Sequence, residues 1–280
     1  MIKEIKKIAN SNIDFKNLEE NILSIQLSLD GFSFCIYTKL EQELIFFAVL
    51  EFEKKAVSPY KQLAYVEEIF KQENLLELTY NTVTVTHFNN LVTQVPQPFF
   101  DKNSLASYLQ NSVKVLDNDY ITFDNIKNTE IVNVYIPFVN INNFILDKFG
   151  SFIYKHSSTV LIEKLVHQYK NLEGDFCCVN VTGNCFEIVV LKNKKLELYN
   201  CFEFKTKEDF IYYILFTAEQ LHLNPEEFEL ILLGDIEKES ELYTILYQYI
   251  RNIKFYSPTK THAILDSVSN HAYFSLLNQI

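Results

Sequence analysis

The stretch Leu27-Ser28-Leu29-Asp30-Gly31-Phe32-Ser33-Phe34-Cys35-Ile36 has a second version at Val179-Asn180-Val181-Thr182-Gly183-Asn184-Cys185-Phe186-Glu187-Ile188. In both, apolar and polar residues alternate on either side of a glycine, the pattern of a half-buried strand that turns and returns. Gly31 and Gly183 are 152 positions apart (183 − 31), and the Glu51-Phe52 and Glu203-Phe204 pairs keep that spacing (203 − 51). A repeat of this kind means one supersecondary unit present twice. The cleft between the copies is then the place to look for function.

Working outward, each copy continues in the same order. The first has strand-like runs at 23–37, turning at Asp30-Gly31, and at 44–52. A helix opened by Ser58-Pro59 follows, with Leu63, Val66, Ile69 and Phe70 on one face, then a Val/Thr-rich strand at 82–87. A proline-marked loop at 95–99, a short helix at 104–116 and strand-like runs at 120–126 and 131–138 come next. Residues 140–149 fit a helix closed by Gly150, and 152–155 a short strand. Ser157 or Ser158 can cap a helix that runs to about Lys170 and leads into the second copy.

The second copy has strands at 176–181, 186–191 and 196–204, with Thr182-Gly183-Asn184 as a tight turn. Thr206 caps a helix with Glu208 and Asp209 in its first turn, and a buried-looking strand at 228–233 stops at Gly234-Asp235. A helix at 240–250, a short strand at 253–256 and a helical tail at 262–280 complete the chain. The expected division is one domain over 1–150 and a second over 151–280, which includes the connecting helix 157–170.

Composition narrows the chemistry. At 280 residues with 48% hydrophobic and 22% charged side chains, the chain is long enough for two domains with cores of ordinary size. A net charge of −11 repels phosphate backbones, and the densest basic cluster, Lys192, Lys194 and Lys195, reads as a solvated hairpin turn. Nucleic acid is not an expected partner. Five cysteines with no C-x-x-C pair, all in strand-like apolar runs, read as reduced thiols of a cytoplasmic protein. The start, Met1-Ile-Lys-Glu-Ile-Lys-Lys, has no apolar stretch of signal-peptide length, and no apolar run approaches bilayer-spanning length. The six histidines form no H-E-x-x-H, and there is no P-loop, G-x-G-x-x-G or G-x-S-x-G. No metal site and no catalytic residue is expected.

Three antiparallel strands, a helix and a further strand, occurring twice, resemble a duplicated ribonuclease H-like unit and with it the actin-like ATPase superfamily. The run from Leu23 to Phe34 looks like an uncharacterised bacterial domain-of-unknown-function family described only as actin-like. The resemblance implies an α/β fold of two tandem ribonuclease H-like domains facing each other across a cleft. It also implies that the first turn of each copy is an Asp-x-Gly phosphate loop, with Asp organising Mg²⁺ or the attacking water. Carried onto this chain, the Asp positions fall on Ser28 and Asn180 and the Gly positions on Asp30 and Thr182. The third, adenosine-holding loop falls at Gly234-Asp235, and the whole chain has five glycines. The residues expected to line the cleft are Asp30, Gly31, Ser33, Thr182, Gly183, Asn184, Gly234 and Asp235. Each has a plainer role as part of a turn, since Asp-Gly between alternating apolar residues is foremost a hairpin signal.

With both acids gone, the chain reads as a catalytically degenerate actin-like protein that acts by binding an unidentified protein partner, without a cofactor. The competing reading is a divergent ATPase or nucleotide-binding switch, with ATP and Mg²⁺ in the cleft and Asp30 or Asp235 used unconventionally. A ribonuclease H-type nuclease is disfavoured, because Ser28 stands where its first-strand Asp belongs.

Overall fold

The computed structural model describes residues 2–10, 20–171, 173–258, 261–266 and 268–280. Two mixed sheets dominate. The first contains β1 (Ile2–Ala9), β2 (Ile22–Leu27), β3 (Gly31–Tyr37), β4 (Leu44–Phe52), β5 (Thr82–His87) and β9 (Ile153–His156), in the order β1-β4-β3-β2-β5-β9. The second contains β10 (Phe176–Thr182), β11 (Cys185–Lys192), β12 (Lys195–Glu203), β13 (Glu229–Gly234) and β14 (Asn252–Phe255), in the order β12-β11-β10-β13-β14. Without β1 the two orders coincide, and so do the directions: two antiparallel hairpins, then two parallel pairings. This is the expected pair of ribonuclease H-like units.

Each sheet is covered on one face by the helix that follows its third strand. In α1 (Pro59–Gln72), Ser58 caps the first turn by accepting from the Lys61 N–H (3.2 Å), and Pro59 presets the entry φ. Its buried Val66, Ile69 and Phe70 pack on Leu23, Ile25, Phe32 and Phe34. In α5 (Lys207–Gln220), Thr206 and Asp209 form a reciprocal capping box, and Phe210, Ile211 and Ile214 pack on Val179, Val181, Phe186 and Ile188. Full burial of each such side chain stabilises by about 1.5–3 kcal/mol.

The other faces are covered by exchange. Helix α4 (Ser157–Tyr169) leaves the first sheet and lays Leu161, Ile162, Leu165 and Val166 on Cys178, Val189, Ile231 and Leu233 of the second. The last segment returns, and α7 (Phe274–Leu277) puts Leu276 against Cys35, Tyr37, Phe47 and Val49 of the first. Gln279 secures it by donating to Ile25 O (3.1 Å) and Thr86 Oγ1 (2.9 Å). Cys177 and Cys178 thus face opposite cores, as strand geometry requires.

Between β5 and β9 the first half inserts a small sheet, β6 (Val92–Pro96), β7 (Thr122–Asn125) and β8 (Ile131–Tyr135) in the order β6-β8-β7, the short helix α2 (Leu105–Leu109), and α3 (Val139–Phe149), which ends at Gly150. The second half inserts only α6 (Glu241–Tyr249) between β13 and β14.

Several expectations are corrected. The helix expected at 104–116 is one turn and a half, because Val113 and Val115 pack into the small sheet's core instead. Residues 92–96 are a strand, with Pro96 at its end. Helix α4 is capped by His156, whose Nδ1 accepts from the Ser158 N–H (3.2 Å), so Ser157 and Ser158 are already helical. The tail is not a helix over 262–280: it has one 3-10 turn (Ala263–Leu265) and α7, with Ser267 outside the described residues. There the His271 carbonyl accepts the Gly234 N–H (2.8 Å), and its Nε2 meets Ile236 O (2.7 Å), so tertiary bonds replace helical ones. Strand β1 was not foreseen; it is an exposed, lysine-bearing edge paired with β4, and its Lys7 Nζ donates to both carboxyl oxygens of Glu73 (2.7 Å). It and β9 extend the first sheet, and the chain crosses between sheets at His156–Ser157, beyond Gly150.

Candidate functional site

All eight residues expected at the cleft line one cavity of about 390 Å³ between the two sheets. The hairpin ends of β2–β3 and β10–β11, the end of β13 and the segment before α7 build its walls.

The two turns are less alike than their glycines imply. Thr182 pairs with Cys185, so Gly183 and Asn184 form a two-residue turn with Gly183 at φ +55°. In the first hairpin the Ser28 N–H donates to Gly31 O (3.1 Å), so the turn residues are Leu29 and Asp30, and Gly31 already starts the returning strand. Gly31 is needed for closeness, not for positive φ: a Cβ there would lie 3.1 Å from Leu50 O. Counting rungs from the turns, Gln26–Ser33 corresponds to Asn180–Glu187. The position facing Asn180's role is therefore Gln26, two residues before Ser28. Gly31 and Cys185 in turn share a rung with Glu51 and Glu203, so the 152-residue spacing holds for the third strands and shifts by two at the turns.

The first turn is pinned by its carbonyls. Ser28 O accepts from Gln62 Nε2 (2.8 Å), Leu29 O from the Ala56 N–H (2.7 Å) and Asp30 O from the Phe52 N–H (2.8 Å). Ser28 Oγ donates to Asp30 Oδ1 (2.7 Å). In the second turn the Gly183 N–H donates to Asp235 Oδ2 (3.2 Å). A carboxylate thus occupies the amide that a phosphate oxygen would need. Gly234 (φ +80°) has no substitute: a Cβ would stand 1.9 Å from Val181 O.

Sequence reasoning missed the cavity's most unusual group. Glu187, wholly buried in β11, accepts from Asn180 Nδ2 (2.8 Å) and Tyr199 OH (2.8 Å). Loss of water pushes its carboxyl up to about 7, against the pull of those two donors. The available signal was a lone carboxylate inside Cys-Phe-Glu-Ile-Val-Val-Leu, a run otherwise fit for a central strand. Gln26, Tyr273 and Ser275 also line the cavity and carried no sequence signal, and Glu51, read in the sequence only as part of the repeated Glu-Phe pair, joins them.

Electrostatically the site is one-sided. Asp30, Glu51, Glu187 and Asp235 line it, and no Lys or Arg does among the described residues. Asp235 is raised, first by lost hydration and also by the Asp30 charge; the Gly183 N–H and His271 pull the other way.

Two sheets of matching strand order that exchange covering helices around a cleft define the actin-like ATPase fold. A Bacteroides thetaiotaomicron protein with actin-like ATPase fold and unknown function superposes with a TM-score of 0.77 at 24% identity, covering 89% of this chain and 95% of that one. A chain of the PilM-PilN type IV pilus biogenesis complex gives 0.60 at 12% identity, covering 92% and 97%. The family model described as Protein of unknown function (DUF3822) matches residues 10–253, and the chain belongs to that family. No curated protein matches the sequence. Among the described residues no helix is long and apolar enough to cross a membrane.

Proposed function

We propose that this chain is a catalytically degenerate, duplicated actin-like protein of the bacterial cytoplasm that works by binding a protein partner. One observation carries the reading: the cleft presents the carboxylates of Asp30, Glu51 and Asp235 and no Lys or Arg among its described residues, with Asp235 already on the Gly183 amide. A nucleoside triphosphate would meet charges of its own sign that only a bridging Mg²⁺ could offset, and no glycine-rich cradle. The likeness to a chain of the PilM–PilN complex fits, because that protein's fold serves in an assembly of proteins. Isothermal titration with ATP and MgCl₂ is expected to give no binding heat. Micromolar binding with phosphate release overturns the proposal.

Glu187 favours the second reading, a divergent ATPase or nucleotide switch, because a carboxyl with a pKa about 7 suits general acid–base work. Against it, both carboxyl oxygens are engaged and the side chain is sealed from solvent. That reading predicts that Asp30→Ala abolishes nucleotide binding, and an unchanged affinity removes it.

A further inference from the structure

We propose that the chain forms a two-fold symmetric dimer in which the outer edge of β12 pairs with β12 of a second copy, joining the second sheets of the two copies into one. The inference is independent of what the cleft binds.

The duplication shows how this fold can finish that edge. In the first half the Phe52 N–H donates to Asp30 O (2.8 Å), so along the antiparallel ladder the backbone groups of Phe47, Val49 and Glu51 point away from β3. Strand β1 takes them, setting Ile8, Lys6 and Lys3 opposite. In the second half the Phe204 N–H donates to Asn184 O (2.9 Å), so those of Tyr199, Cys201 and Glu203, at the same 152-residue spacing, point away from β11. Among the described residues no strand takes this edge. The Cys201 N–H has turned instead to its own neighbour, Asn200 Oδ1 (2.8 Å).

The side chains differ in the same sense. Phe46, Leu50 and Phe52 of β4 are buried, whereas Leu198, Phe202 and Phe204 at the matching positions are half-buried. Counting from the capping residues Ser58 and Thr206, α1 carries Ala64 and Glu68 where α5 carries Tyr212 and Phe216, which are 59% and 45% exposed. Tyr212 stacks on Phe216 (5.9 Å) and meets Tyr213 (5.5 Å), and Tyr213 stacks on Phe202 of β12 (4.7 Å). Beside the covered edge the helix surface is small and charged; beside the bare edge it is aromatic and continuous with the strand. A connected aromatic surface marks an interface, and a bare edge takes a strand.

Charge selects the occupant. A second β12 laid antiparallel about Cys201 sets Glu197 opposite Lys205, Tyr199 opposite Glu203 and Leu198 opposite Phe204. Moving the axis to Asn200 would set Glu197 against Glu203, a destabilising like-charge pair. The axis stands perpendicular to the sheet, so both α5 helices lie on one face and the Tyr212 and Phe216 rings of the two copies approach each other. Each copy gives the same edge, so the assembly closes at two.

Analytical ultracentrifugation of the full chain from about 1 µM to about 0.1 mM tests this, with a monomer–dimer equilibrium expected. Tyr212→Ser combined with Phe216→Ser, at exposed positions, should weaken dimerisation about ten-fold or more. Glu203→Pro, which removes an outward N–H and leaves the β11 ladder intact, should do the same. Glu197→Lys should also weaken it, and adding Lys205→Glu should restore it, because the axis then opposes the same charges reversed. If Glu203→Pro misfolds, the helix variant and the charge swap still decide. A monomer across the range overturns the inference, even one that captures a peptide of the Ile2–Ala9 sequence, which would give the edge to a different protein's strand. A dimer that none of the variants weakens overturns it too, and weakening without rescue by the charge swap overturns the axis at Cys201.

Discussion

The two halves share a strand order but bury opposite chemistry. The first half closes its parallel strands on two imidazoles, His87 and His156, which face each other across β5 and β9. Burial holds both well below their ordinary value, His87 to about 3 and His156 to about 4, so both are neutral. The second half buries the Glu187 carboxyl, raised to about 7. The scaffold requires only that apolar residues alternate toward the cores; what stands at the polar positions is free to differ between copies. The same rung illustrates it: Leu27 pairs with His87, while the matching Val181 pairs with Gly234.

That rung gives the largest expected effect. Gly234→Ala combines a left-handed backbone with a Cβ 1.9 Å from the Val181 carbonyl, so β13 must move away from β10. A loss of about 3 kcal/mol or more is expected from urea unfolding. Gly183→Ala, also left-handed but with nothing within 4 Å of the new methyl, should cost only about 1 kcal/mol. Equal losses would break the distinction between a turn glycine and a packing glycine.

The opposed titrations come next. Glu187 is raised from its ordinary 4.5, so its contribution is complete below that pH and disappears as pH rises through about 7. His87 and His156 are depressed, so their contribution is present above pH 6.5 and is lost as pH falls through about 4 and then about 3. Between pH 4.5 and 8, Glu187→Gln should gain on the wild type by up to about 3 kcal/mol, the free-energy equivalent of the Glu187 shift. Below pH 4.5, where Glu187 is protonated folded or unfolded, the acid limb should stay unchanged, because the imidazoles remain. Parallel stability profiles for the two proteins across pH 4.5–8 would remove Glu187 as the source.

The smallest effect concerns Cys185, which holds the rung that Gly31 holds in the first half. It is half-buried, and the neighbouring Cys201 thiol lowers its pKa, whereas burial raises Cys35 and Cys178 and pushes Cys177 up to about 12. Iodoacetamide should therefore modify Cys185 before those three, read by peptide mapping; equal rates would contradict it.

Much of the scaffold was legible from local pattern. Alternation gave the hairpins, Ser58, Thr206 and Ser240 marked helix starts by their capping oxygens, and Gly150 marked a helix end. The eight cleft residues were legible because turns at the ends of matching strands collect on one side of a doubled fold. Legibility failed wherever a distant partner decided the outcome. Strand β1 is polar and exists because β4 offers a free edge. The tail forgoes helix because Gly234 and Ile236 bond to His271.

The sequence by itself therefore determined the two units and their turns, since periodicity and capping act over a few neighbouring residues. Only the tertiary structure decided that the first turn is Leu29-Asp30, that Asn180 matches Gln26, and that α4 and α7 cover each other's sheets. It alone decided that Asp30, Glu51 and Asp235 gather in one cleft, because burial and the summed field of carboxylates far apart in the chain arise only when the two sheets face each other.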